Sequence, residues 1–249
     1  MKKKFAIAAI FLMTYLVFLI ATLPSAVVLK QITLPKHIAL SGVQGTVWQT
    51  RIDQLIVDNT LVEQVEVQLS FWSLFTLAPK LDVAFGDPLL SGAEGQLTLS
   101  ISSQEVVVTD LSVSVRANDV AQQLPLPLPL LAKGEVALQV SEASMNLQNN
   151  QCLTAKGAVN WSKAGVVALE QSIILGGFSA DISCEEGVLV LILSPKNDLG
   201  LSFSAYVRQG GKISGTGYLK PAAKFPKELN STLPFLGKKD NQGRYRLSF

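Results

Sequence analysis

The sequence predicts an all-β exported domain, a long, twisted and mostly antiparallel sheet with a few short helices, behind a single N-terminal transmembrane helix. Two observations support this prediction. One long apolar run opens the chain, and beyond it apolar residues recur at every second position, as they do in strands with one buried and one wet face. The 249 residues leave room for one large domain or two small ones.

The opening run is the first element. Three lysines at 2–4 precede an apolar stretch at 5–23. A bilayer-spanning helix needs about 20 such residues, whereas the core of a signal peptide has about 7–15. Leu19 and Pro24 stand where a cleavage site would favour small residues. We therefore predict a retained anchor, with a cleaved signal peptide as the alternative.

These observations divide the chain into five segments. By the positive-inside rule, residues 1–4 are expected in the cytoplasm and residues 5–28 form the anchor of a bacterial inner membrane. The bulk of the chain then lies in the periplasm. An N-terminal β half covers 29–123, a proline-rich connector 124–131 and a C-terminal β half 132–249.

The strands are predicted from alternation, as at Val136, Leu138 and Val140, and one apparent break falls at Asp110. Two short helices are expected, one within Ser70–Leu77 and one that begins at Pro226 and stops at Pro234.

The connector alternates leucine with proline from Leu124 to Leu130. Each proline removes a donor from a strand ladder and favours an extended polyproline-type backbone. The expected role is to join the two halves; the alternative is a docking peptide for an aromatic groove.

Cys152 and Cys184 are the only two cysteines, and both follow the anchor. A cysteine pair in an exported domain usually oxidises, and closing such a loop contributes about 3–4 kcal/mol in the chain-entropy model. We predict a disulfide, with two free thiols as the alternative.

Composition argues against most chemistry. A net charge of +2 is too small for an ordinary nucleic-acid binder, and one histidine with two cysteines leaves too few ligands for a Cys/His zinc site. His37 stands alone, and the sequence has no P-loop, dinucleotide fingerprint, EF-hand or HExxH motif. We predict no enzyme, no catalytic residue, no cofactor and no metal.

Two regions are candidates for interaction. From Lys220 to Phe249 the chain has seven basic and two acidic residues, which suits anionic lipid or an acidic partner but could equally serve solubility. The candidate residues are Lys238, Lys239, Arg244 and Arg246.

The second region is Leu40–Gln49. Its glycines, Gly42 and Gly45, permit positive φ at a tight turn, after which Val47 and Trp48 are expected to begin a strand. Trp48 and Trp72 are candidate contact residues; the alternative for the motif is a hairpin that starts the fold.

The motif Leu40–Gln49, close behind a single anchor, resembles the opening of the type II secretion system protein N family. Trp72 in its Trp-Ser-Leu segment, the cysteine pair, Gly176–Cys184 and the closing stretch Leu236–Arg246 follow the same plan. The resemblance implies a single-pass inner-membrane protein with a periplasmic β-rich domain, an accessory part of the machine that exports folded proteins across the outer membrane. It implies no catalytic residues.

Two functions remain open. The first is a scaffold or assembly role in type II secretion, with other secretion components (the inner-membrane platform, the outer-membrane secretin or both) and membrane lipid as partners, and no nucleic acid. The alternative is a lipid-handling protein with a β-groove of the AsmA-like kind. A continuous apolar stripe left open on one face of the sheet would favour the alternative, and a filled or covered face would favour the scaffold.

Overall fold

A computed structural model describes residues 2–31, 34–35, 38–57, 60–76, 78–87, 92–123, 130–168, 171–208 and 212–248. The chain divides into two compact units, residues 1–90 and 91–249. Thirteen strands lie within the described residues, and every strand pair within each unit is antiparallel. The predicted fold class, an antiparallel β protein behind one apolar helix, is confirmed.

The first unit begins with the apolar helix α1, Lys2–Ala21, followed by a short helix α2, Ser25–Gln31. Within α1, residues Lys4–Ala21 are long and apolar enough to cross a membrane. The helix ends before the predicted boundary at residue 28, because Pro24 has no amide hydrogen with which to continue the helical hydrogen bonds.

Four strands complete the first unit: β1 (Ile38–Thr46), β2 (Gln49–Val57), β3 (Thr60–Leu69) and β4 (Lys80–Phe85). Each pairs with the next along the chain. Between β3 and β4 lies a 3₁₀ helix, Phe71–Thr76, which we call the aromatic 3₁₀ helix. It falls inside the short helix predicted at 70–77.

The second unit is a meander of nine strands in which each strand pairs with the next. A helix α3, Ala117–Ala121, follows the second of them, and a C-terminal 3₁₀ helix, Lys227–Leu236, precedes the last. The strands are β5 (Glu94–Ile101), β6 (Glu105–Arg116), β7 (Leu131–Asn146), β8 (Cys152–Ala168), β9 (Gln171–Glu185), β10 (Val188–Leu193), β11 (Leu201–Val207), β12 (Ile213–Leu219) and β13 (Tyr245–Ser248).

One face of this meander is apolar from end to end. Residues directly opposite each other on paired strands share a face, and the strand register aligns one apolar or small residue from each of the nine strands. This apolar row consists of Gly95, Val113, Leu138, Val159, Ala180, Leu193, Phe203, Gly217 and Leu247. Two residues away along the strands a second row repeats the pattern, with Leu111, Val140, Gly157, Ile182, Leu191, Ala205 and Gly215.

The opposite face is mostly polar, because the residues next to the apolar row include Gln96, Ser112, Gln139, Asp181 and Thr216. Most members of the apolar row are only half-buried. The C-terminal 3₁₀ helix covers one end of the apolar face, where Leu233 packs against Leu219 and Tyr245.

Three local predictions need correction. Asp110 does not interrupt the strand: it takes a φ of 53° and lies where β6, continuous in itself, bulges against β5. The C-terminal 3₁₀ helix does not stop at Pro234, which lies inside it. Val47 and Trp48 form the two-residue turn between β1 and β2 rather than the start of a strand.

The predicted connector, 124–131, was expected to join the N-terminal and C-terminal β halves. Residues 124–129 lie outside the described residues, and β7 begins at Leu131. The strands on either side, β6 and β7, pair with each other inside one unit. The connecting role of the proline run stays a prediction.

Candidate interaction surfaces

The end of α1 is bonded to the turn that contains Trp48. The indole N–H of Trp48 donates to the carbonyl of Ile20 at 3.0 Å, and the amide of Val47 donates to the carbonyl of Leu23 at 3.0 Å. The hydroxyl of Ser25 lies 3.2 Å from the carbonyl oxygens of both Gln44 and Gly45. The last carbonyl groups of a helix have no hydrogen-bond donor within the helix, and here the turn supplies the donors.

Gly45 explains why the chain can turn so close to the helix. Its φ is 91°, and a Cβ added there would lie 2.3 Å from the carbonyl oxygen of Gln49. Only glycine accepts both the positive φ and this close approach. The predicted positive φ of Gly42 and Gly45 is confirmed, at 69° and 91°.

Trp48 and Trp72 belong to one aromatic cluster, which we define as Trp48, Phe71, Trp72 and Phe75. Ring centroids are 5.3 Å apart for Trp48 and Phe71, 5.7 Å for Phe71 and Trp72, and 6.1 Å for Trp72 and Phe75. Edge-to-face and tilted pairs at these distances are favourable. The cluster nevertheless remains open, with Trp72 78% and Phe75 71% exposed.

The aromatic 3₁₀ helix is fastened by its serine. Ser73 is only 6% exposed; its hydroxyl donates to the carbonyl of Ser70 at 2.6 Å and accepts the amide of Lys80 at 2.8 Å. The amide of Leu69 donates to the carbonyl of Trp48 at 3.0 Å. The helix therefore turns its polar side inward and its aromatic side outward.

The basic candidates form a second group, around β12 and β13. Arg246 lies opposite Tyr218 in the strand register, and the guanidinium of Arg244 lies 4.0 Å from the centre of the Tyr218 ring. The ammonium of Lys239 lies 5.4 Å from the ring of Tyr245. Cation–π contacts of this kind hold the charges close to the sheet while leaving them in water.

Arg244 is also held by Asp240. Its guanidinium lies 2.8 Å from the Asp240 carboxylate, and its backbone amide donates to the same group at 2.9 Å. These contacts, the backbone hydrogen bond first, hold the pKa of Asp240 below its ordinary value, against an opposing effect of desolvation. Arg244 thus organises its own loop, which reduces the charge it offers to a partner.

Cys152 and Cys184 form a disulfide, as predicted, with their Cα atoms 5.8 Å apart. They join the first residue of β8 to the end of β9, next to the two-residue turn Glu186–Gly187. Both turn residues have positive φ, which is the geometry of a tight hairpin. The disulfide therefore joins two central strands of the meander at their ends.

The described residues contain no group of three histidine, cysteine, aspartate or glutamate side chains placed to hold a metal, and His37 lies outside them. An open hollow of about 560 Å³ lies where β6 and β7 bulge, lined by Asp110, Ser112, Gln139, Ser141 and Lys156 among others. Among the described residues that line this hollow, no hydrogen bond joins a nucleophile to a base.

Sequence reasoning missed three exposed aromatic residues: Phe71 and Phe75 of the aromatic cluster, and Phe235, which is 88% exposed beside the basic candidates. The sequence did contain one indication for Phe71 and Phe75. The segment Phe71–Thr76 contains four large apolar residues and no charge, which is unusual for an exposed connection between strands.

Comparison with known proteins decides the family. The sequence model described as "Type II secretion system (T2SS), protein N" matches residues 36–248. The chain belongs to this family. The resemblance noted from Leu40–Gln49 and the closing segments is thereby confirmed.

Curated relatives agree with the match. A protein of Aeromonas hydrophila named type II secretion system protein N is 30% identical over 100% of this chain and 98% of its own length. Proteins of the same name are 25% identical in Vibrio cholerae serotype O1, over 98% of this chain and 97% of theirs, and 28% identical in Klebsiella pneumoniae, over 98% and 94%. No solved structure matches the chain.

Proposed function

We propose that this chain is an accessory inner-membrane component of the type II secretion system that works as a scaffold, by contact with other secretion components rather than by turnover. Its family and its relatives' names support the secretion role. The apolar span of α1 after Lys2, Lys3 and Lys4 supports a single-pass anchor with a cytoplasmic N-terminus. The disulfide supports a periplasmic location for the strands.

The observation that best supports a contact role is the incomplete edge of the second unit. The last strand, β13, pairs with Thr216–Leu219 of β12. Within the described residues, Ile213 and Ser214 of β12 pair with β11 on one side and with no strand on the other. Unpaired N–H and C=O groups at a sheet edge are a docking surface for a partner's strand, and the anchor raises the effective concentration of any partner in the same membrane.

A photocrosslinking amino acid at Ile213 tests this proposal in secreting cells. We expect an adduct with another secretion component. The matched control is the same amino acid at Leu61, an exposed apolar strand residue of the first unit. A scaffold that docks through β12 gives an adduct at 213 and none at 61; no adduct at 213, or equal adducts at both positions, would count against it.

Activity assays test the distinction from an enzyme. In cells lacking the protein, the domain released from its anchor should restore secretion poorly, whereas His37→Ala and single carboxylate-to-amide substitutions should restore it nearly fully. A fully active soluble domain, together with one polar substitution that abolishes secretion without unfolding the protein, would reject the contact role.

A second candidate, lipid handling, is supported by the apolar face of the second unit. Nine strands about 4.8 Å apart give the apolar row a length of about 40 Å, enough for an acyl chain, and most of its residues are half-exposed. Lipid extraction from the purified protein tests it. Val159→Asp should abolish co-purifying lipid, whereas Ala158→Asp, on the opposite face of the same strand, should not; thermal unfolding must first show that both variants fold.

A further inference from the structure

We propose that the aromatic cluster lies in the headgroup region of the same membrane that α1 crosses, and so gives the first unit a second contact with lipid. This inference rests on the proposed membrane topology. It assigns the lipid bilayer surface, rather than a protein, to the exposed rings of Trp72 and Phe75.

The first step is depth. The apolar span Lys4–Ala21 has 18 residues, which at 1.5 Å per residue is about 27 Å long. The hydrocarbon core of a bilayer is about 30 Å thick, so the carbonyl of Ile20 lies close to its edge. The indole of Trp48 bonds that carbonyl at 3.0 Å, which fixes the aromatic cluster at the same level.

The second step is the inverted polarity of the aromatic 3₁₀ helix. Its serine is buried and satisfied, while its large apolar side chains, Phe71, Trp72, Leu74 and Phe75, are all exposed. A helix in water shows the reverse pattern. An apolar medium around the exposed side of this helix accounts for both the buried serine and the exposed rings. The rings are then removed from water, and the backbone groups keep their hydrogen-bond partners.

The third step is the kind of medium. Tryptophan is enriched where membrane meets water, since its ring is apolar and its N–H needs a polar partner. Trp48 satisfies its N–H on the helix end, and the ring of Trp72 faces outward with no charged residue in its own helix. Hydrogen bonds hold these rings beside the end of a membrane-spanning helix, where headgroups are the surrounding phase.

Tryptophan fluorescence in vesicles tests the inference. The chain has three tryptophans, Trp48, Trp72 and Trp161, so the full chain with Trp48→Phe and Trp161→Phe reports Trp72 alone. In vesicles of phosphatidylcholine and phosphatidylglycerol, phosphatidylcholine brominated near the top of its acyl chains should remove most of this emission. Bromine near the chain ends should remove less.

The matched control carries Leu61→Trp with all three natural tryptophans replaced by phenylalanine. Leu61 is an exposed apolar residue near the start of β3, about 25 Å along the strand from the cluster, and its emission should be unaffected by bromine. If loss of the Trp48 indole disturbs folding, the difference in emission between the unmodified chain and Trp72→Phe gives the same information with Trp48 in place.

Flotation of the vesicles separates the two proposals. A chain that floats, with Trp72 quenched by bromine and protected from aqueous acrylamide, supports the inference. A chain that floats while Trp72 is open to acrylamide and insensitive to bromine overturns it and leaves the membrane anchor standing. A chain that does not float overturns both.

Discussion

The two 3₁₀ helices within the described residues are connections of the same kind used in opposite ways. The aromatic 3₁₀ helix, Phe71–Thr76, joins β3 to β4 in the first unit, buries a serine and exposes its rings. The C-terminal 3₁₀ helix, Lys227–Leu236, precedes β13 in the second unit and buries Leu233 against the apolar face. One closes a face of a sheet, and the other presents an apolar surface.

Under the proposed contact of the aromatic cluster with lipid, this difference follows from the position of each helix relative to the membrane. Leu233 gains its free energy from the protein's own core, as apolar side chains ordinarily do. Trp72 is also apolar but largely exposed, and its helix is bonded to the neighbouring backbone through Ser73. The four predictions below test how much each unit depends on internal contacts, from the largest expected effect to the smallest.

Removing the disulfide should have the largest effect on the free energy of unfolding. Both cysteines lie in the second unit, the one that buries its 3₁₀ helix. For the 32-residue separation of Cys152 and Cys184, the chain-entropy model gives a loss of about 4 kcal/mol in the free energy of unfolding. Denaturant titration of the Cys152→Ser, Cys184→Ser double variant measures it. The unmodified protein under reducing conditions should match the variant, and two titratable thiols in the unreduced, unfolded protein would contradict the prediction.

Leu233→Ala should come next. Leu233 is 9% exposed and contacts the cluster of Leu219 and Tyr245, and truncating such a leucine costs about 3 kcal/mol. Phe235→Ala in the same helix is the matched control, since its ring is exposed and the change should stay within about 0.5 kcal/mol. Equal losses for the two variants would erase the proposed contrast between the helices.

Ser73→Ala should cost about 2 kcal/mol, because Ser73 is buried and its hydroxyl both donates to the carbonyl of Ser70 and accepts the amide of Lys80. Thr76→Ala removes one hydrogen bond, to the carbonyl of Ser73, from an exposed residue of the same helix and should cost much less. Both are measured by denaturant unfolding of the full chain in detergent. If the two variants lose equal stability, the serine does not fasten the aromatic 3₁₀ helix.

Asp240→Asn should have the smallest effect, and that effect should depend on pH. The pKa of Asp240 is lower in the folded protein than its ordinary value. Its contribution is therefore present above the unfolded pKa of about 3.9 and lost as the pH falls through the folded pKa. The melting temperatures of the variant and the unmodified protein should differ slightly near neutral pH and converge in acid; a difference that grows in acid would contradict this.

Periodic apolar patterns predicted the strands well, because each strand has one dry and one wet face. Val136, Leu138 and Val140 lie along β7 as their alternation indicates. Asp110 was harder to interpret, since a bulge and a chain break look alike in sequence. The register shift that distinguishes them depends on pairing with another strand, β5. The pairing of β6 with β7, which lie on either side of the proline run, was likewise not predictable from a local pattern, because it depends on contacts between residues far apart in sequence.

The interaction role of the candidate residues stays a prediction, and the sequence indicated only part of their surroundings. Trp48 was expected to begin a strand, but its indole bonds the carbonyl of Ile20, 28 residues earlier, and no local sequence pattern predicts that hydrogen bond. The basic residues were visible as a charge excess, yet the pairing of Arg244 with Asp240 separates it from the more open Lys238. The sequence predicts the net charge of this segment, whereas the fold determines which of the charged side chains remain available to a partner.

The hydrogen bond between Trp48 and Ile20 couples the rotation of α1 to the orientation of the first unit. Each residue of an α-helix turns it by about 100°, so one residue inserted between Ile20 and Leu23 would swing the bonded carbonyl a quarter turn or more away from the indole. Residues inserted before Ile20 leave the hydrogen bond intact, because they lengthen the helix and rotate only the part upstream of the insertion. The phase of α1 is thus fixed at its C-terminal end, while its length toward the N-terminus is free to match a thicker membrane.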